Sequence, residues 1–164
     1  MRTVVMSVTV LLSTAFLHTL AVAGPIHDAA RDGKAEQVEG LIAAGTAVDE
    51  KDGLDKTALH WAADEGHMEV SRMLVAKGAD VNAKDFQDET PISYAVWEVH
   101  EDIVELLIGK GADVNQKNTV GRRVLDVAVA RGLFGIAENL LRAGAKCGTN
   151  RPMSEVCNRE VDQN

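Results

Sequence analysis

The chain has 164 residues, of which 46% are hydrophobic and 26% charged, with a formal net charge of −8. That length suits one domain, and the composition is that of a folded soluble protein. The acidic surplus argues against nucleic acid or an anionic membrane surface as partner, because both need clustered Lys and Arg.

Residues 1–23 carry a single formal charge, Arg2, and run apolar from Val4 to Leu20 before ending Ala21-Val22-Ala23. The small residues at Ala21 and Ala23 fit a signal-peptidase site, so cleavage after Ala23 and export to the periplasm or cell exterior are expected. An uncleaved membrane anchor is the alternative reading, since the apolar stretch is nearly long enough to span a bilayer. After cleavage no membrane association is expected.

Residues 24–148 repeat with a period of 33. Gly45, Gly78, Gly111 and Gly144 stand 33 apart, as do Ile26, Leu59, Ile92 and Leu125, then Ala29, Ala62, Ala95 and Ala128, then Leu41, Leu74, Leu107 and Leu140. The units run 24–51, 52–84, 85–117 and 118–148. In the second, residues 57–65 predict a short helix with Thr57 as N-cap, and Gly66 interrupts the chain. Residues 67–76 predict a second helix with Val70, Met73 and Leu74 facing inward. Gly78 suits the left-handed turn that ends it. In the third unit Pro91 follows Thr90 at the favoured first helical position. Helices this short are not stable alone and must stack on their neighbours, which makes a solenoid.

The fourth unit departs from the pattern, with Arg123-Val124-Leu125-Asp126 at its first helix and Cys147 where Val48, Val81 and Val114 stand. In the third unit, Val99 replaces a turn glycine. Residues 149–164 are a polar tail, with a helical turn expected around Ser154–Arg159. Export would place Cys147 and Cys157 where disulfides persist. A bond between them would close a loop of roughly 11 residues and stabilise by about 3 kcal/mol; two unlinked cysteines are the alternative.

Thr57-Ala58-Leu59-His60, Thr90-Pro91-Ile92-Ser93, Gly66-His67-Met68-Glu69-Val70 and Gly78-Ala79-Asp80-Val81-Asn82 together resemble the ankyrin repeat, and the resemblance covers about residues 25–148. It implies an all-α solenoid of about four helix-turn-helix units with hairpin-like turns. It also implies that His27 and His60 make hydrogen bonds within the scaffold. His67 and His100, at the starts of second helices, read as structural too. Asp52, Asp80, Asp85 and Asp113 read as turn residues.

No catalytic constellation accompanies the repeats. Beyond residue 23 the serines are Ser71, Ser93 and Ser154, none in a nucleophile-elbow context. The glycines fall on the repeat columns rather than in a phosphate loop, and no metal-ligand spacing is present. An enzyme, a cofactor and a metal are therefore not expected.

In the ankyrin family the turn tips and the exposed side of the first helix bind partners. Carried onto this sequence, those positions include Leu54, Lys56, Phe86, Gln87, Glu89 and Arg122 at the tips, and Asp64, Glu65, Trp97, Glu98 and Arg131 on first helices. Phe86 and Trp97 are aromatic where the scaffold needs no ring, and Tyr94 borders the same face. The expected site is an apolar centre of Phe86, Tyr94 and Trp97 inside an acidic rim, facing a protein with a basic-rimmed apolar surface. Trp61 and Tyr94 also read as packing between repeats. A monomeric binding module, acting as inhibitor or accessory of an exported protein, is the expected function. A structural or stress-protective envelope protein without one dedicated partner is the alternative.

Overall fold

The computed structural model describes residues 24–147. The leader expected over 1–23, Cys157 and the tail expected to turn around Ser154–Arg159 lie outside the described residues. Among the described residues there are eight helices and no strand. They are α1 (Pro25–Arg31), α2 (Ala35–Ala43), α3 (Ala58–Asp64), α4 (Met68–Ala76), α5 (Pro91–Trp97), α6 (Glu101–Gly109), α7 (Val124–Ala130) and α8 (Phe134–Arg142).

The helices pair as four antiparallel hairpins. First helices stack on first helices (α1, α3, α5, α7) and second on second (α2, α4, α6, α8), giving two layers. Ile26, Leu59, Ile92 and Leu125 are fully buried at one level of the core, and Leu74, Leu107 and Leu140 at another. Each such side chain contributes roughly 1.5–3 kcal/mol by leaving water. The buried alanines Ala29, Ala62, Ala95 and Ala128 let neighbouring first helices approach closely. Leu41, in the first unit, stays half-buried because no described residue stacks beyond it.

The helix starts match the expected signals to within a residue. Thr57 and His67 cap α3 and α4 rather than entering them, and Pro91 is the first residue of α5. At each first helix the side chain three residues after the cap accepts the cap's N–H. His27 Nδ1 serves Gly24 at 3.0 Å, His60 Nδ1 serves Thr57 at 3.0 Å, the Ser93 hydroxyl serves Thr90 at 3.3 Å, and an Asp126 carboxylate oxygen serves Arg123 at 2.9 Å. The fourth unit thus keeps the geometry with different chemistry.

Because Nδ1 accepts, the histidine proton sits on Nε2. It is donated from His27 to the Glu50 carbonyl of the same unit at 2.8 Å, and from His60 to the Glu89 carbonyl of the next unit at 3.3 Å. His67 and His100 tie units in a second way, donating Nε2–H back to the Arg31 and Asp64 carbonyls at 2.8 and 3.1 Å. A ladder of side chains adds a third link. Asp49, Asn82 and Asn115 accept the backbone N–H of Asp80, Asp113 and Lys146, and both asparagines also donate to the Gly111 and Gly144 carbonyls.

Candidate partner-binding face

Between the helix pairs the chain makes hairpin-like turns, each pinned by one side chain. Asp52 accepts the N–H of Leu54 and Lys56, Asp85 those of Gln87 and Glu89, and Asn118 those of Val120 and Arg122. Successive tips are joined by backbone bonds, Phe86 N–H to the Leu54 carbonyl at 3.2 Å and Thr119 N–H to the Gln87 carbonyl at 2.9 Å. The tips therefore form a short, ordered edge. Leu54, Phe86, Gln87 and Arg122 are exposed along it, Phe86 at 55%. Glu89 is half-buried, and its carboxylate accepts from the Asn118 amide at 2.7 Å.

Lys56 corrects the sequence expectation. It occupies the same repeat position as Glu89 and Arg122, yet it is only 8% exposed. Its ammonium lies 4.3 Å from the Trp61 ring centroid and 4.0 Å from that of Tyr94, with an Asp64 carboxylate oxygen at 3.6 Å. The physical reason is local: only the second and third units supply aromatic rings in succession, and the slot between them attracts the cation. Lys56 therefore holds two units together instead of standing free at a tip.

The two rings are themselves fixed. Trp61 Nε1–H donates to Asp52 at 2.9 Å and the Tyr94 hydroxyl donates to Asp85 at 2.6 Å. Burial, reinforced by the bond to Asp85, pushes the Tyr94 hydroxyl well above its ordinary range, so it remains a donor. Tyr94 also meets His60 edge to face, with centroids 5.8 Å apart. Both rings are half-buried and serve repeat packing while bordering the face.

Trp97 is 37% exposed at the end of α5, with the Arg131 guanidinium 5.6 Å from its ring centroid. Arg131 also donates to the Val96 and Trp97 carbonyls, so it is engaged within the chain. Glu65 and Glu98 are exposed, and among the described residues neither enters an ion pair. Phe86 precedes α5 and Trp97 ends it, so the expected apolar centre is stretched along a helix about 10 Å long, with Tyr94 between. Two exposed apolar residues escaped the sequence reading of the site, Val99 and Phe134. The signals were present: Val99 breaks a glycine column, and Phe134 stands where Ala35, Met68 and Glu101 do.

Among the described residues no group of His, Cys, Asp and Glu could hold a metal ion, and no helix is long and apolar enough to cross a membrane. A family model described as ankyrin repeats, in three copies, matches residues 26–118. The chain belongs to the ankyrin-repeat family. The match spans the first three helix pairs, and α7 with α8 adds a fourth of the same design beyond it. Among curated proteins none matches the chain. Ankyrin repeats are protein-protein interaction modules, in general non-enzymatic.

Proposed function

We propose that this ankyrin-repeat protein is a monomeric, non-enzymatic binding module of the periplasm or extracellular space, acting as inhibitor or accessory of another exported protein. The observation that carries the binding reading is the exposure of Phe86 and Trp97 at positions the scaffold does not need. Large rings in water at such places are characteristic anchors for a partner. Their surroundings favour a partner whose apolar contact is edged with Lys or Arg, since Glu65 and Glu98 are left uncompensated and the whole chain is acidic. The Lys56 slot between Trp61 and Tyr94 and the Arg131 contact to Trp97 hold this face in shape beforehand, which lowers the ordering cost on binding.

Export rests on the pattern of residues 1–23, and the Cys147–Cys157 disulfide on the compartment that export implies. Sequencing the mature N-terminus is expected to begin at Gly24, and non-reducing peptide mapping to recover the linked cysteines. For the binding face, Phe86→Ala and Trp97→Ala are to be compared with the parent in urea unfolding and in affinity for the protein captured from the native compartment. The expected result is a loss of about tenfold or more in affinity with stability nearly unchanged. Lost stability with intact binding would overturn the assignment.

A further inference from the structure

The loops joining first to second helices carry a second departure from repetition. Gly33, Gly66, Val99 and Gly132 are equivalent residues, all left-handed, with φ of 72°, 78°, 65° and 71°. In the first two units the following unit's histidine ring lies directly over the glycine. A Cβ on Gly33 would fall 2.7 Å from His67, and one on Gly66 would fall 2.5 Å from His100. In the fourth unit that histidine is replaced by Leu133. The link to the preceding first helix is instead made by Arg131, through the Val96 and Trp97 carbonyls. Val99 takes the freed place in spite of its unfavourable backbone and is 39% exposed. Phe134, the residue after Leu133, is 65% exposed. Trp97, two residues before Val99, completes the set.

Three breaks in the pattern therefore fall on one edge of the third and fourth units, and each puts an apolar group into water. Apart from Arg131, which is held against the Trp97 ring and the Val96 and Trp97 carbonyls, the neighbouring charges are acidic. Glu98, Glu101 and Asp102 are exposed, and among the described residues none of them enters an ion pair. We propose that Trp97, Val99 and Phe134 form a docking surface, separate from the hairpin tips, for a segment of a partner protein in which aliphatic and basic side chains alternate. The apolar groups would take the aliphatic side chains, and the three carboxylates would take the cations. The inference deepens the proposed protein-binding role and rests on it, sharing Trp97 with that face and adding Val99 and Phe134.

The test is an amide and indole NMR titration at physiological salt, with a short synthetic peptide of alternating leucine and arginine as probe and a leucine–glutamate peptide as control. The expected result is perturbation of Trp97, Val99 and Phe134 by the arginine peptide alone. Val99→Gly and Phe134→Ser are each expected to weaken it about tenfold, and Phe86→Ala less than about twofold. Val99→Gly installs the residue of the other three units, so lost binding cannot be put down to lost folding. Affinity indifferent to both substitutions would overturn the proposal. Perturbation confined to Leu54 and Phe86 would also overturn it, while leaving the hairpin-tip face standing. Concentration-dependent sedimentation abolished by Val99→Gly would assign the edge to a second copy of the chain and overturn it as well.

Discussion

Ser71 lies fully buried in α4, where Val38, Val104 and Ala137 occupy the same repeat position, and its hydroxyl has no hydrogen-bond partner among the described residues. An unsatisfied buried hydroxyl costs more than it returns. Ser71→Ala is therefore expected to raise the unfolding free energy by about 1 kcal/mol, measured in urea. The glycine column gives a graded series in the same assay. Gly66→Ala combines left-handed strain with a collision against the His100 ring and is expected to cost about 3 kcal/mol. Gly132→Ala meets no histidine, only the edge of the Phe134 ring at 4.0 Å, and is expected to cost about 1 kcal/mol. Val99→Gly reverses the sign, stabilising by about 1 kcal/mol as the strain is released. Equal costs at positions 66 and 132 would mean that the histidine ring yields without penalty.

Between elements, His60 couples α3 to the hairpin before α5. Burial pulls its ring down to about 4 from an ordinary 6.5, so the fold holds the neutral form. Above 6.5 neither state is protonated and the full stability is present. Between 6.5 and 4 the unfolded chain binds a proton that the folded chain refuses, so stability falls as pH falls. Across that window the loss amounts to about 3 kcal/mol. Urea unfolding at pH 7 and pH 4.5 is expected to show it. In His60→Gln, less stable at pH 7, the loss over the same interval should be smaller by about 2 kcal/mol. An identical loss in the variant would place the titration elsewhere.

Over the whole molecule, the junctions are unequal. The first three units are bridged by His60 in one row and by His67 and His100 in another. At the last junction Ser93 has no second ring nitrogen and Leu133 no donor, so Asn115, Asn118, Arg131 and Asn139 carry the side-chain links. Hydrogen exchange is expected to release α7 and α8 before α3 and α4; simultaneous exchange would mean the rod opens as one piece.

The architecture was legible because it depends on periodic burial. Columns such as Leu59 with Ile92 repeat whatever their neighbours, and the scaffold roles of His27, His60 and Asp52 follow the same register. Exposure of Phe86 and Trp97 was legible as departure from the pattern. Lys56 was not, because its burial depends on Trp61 and Tyr94 coming from consecutive units, a coincidence that column-by-column reading averages away. The pairing of Gly33 with His67 and Gly66 with His100 was hidden for the same reason, since it joins two columns across a junction.

That pairing bears on how the protein can grow. A duplicate of residues 52–84 presents Gly66 on its upper side and His67 on its lower, so copies set end to end meet as the existing neighbours do. A duplicate of residues 85–117 would press Val99 of one copy into His100 of the next. Tandem insertion of the former is expected to yield a longer, cooperatively folded chain, and of the latter a faulted seam, so the gene can lengthen by copying one of its internal segments but not the other.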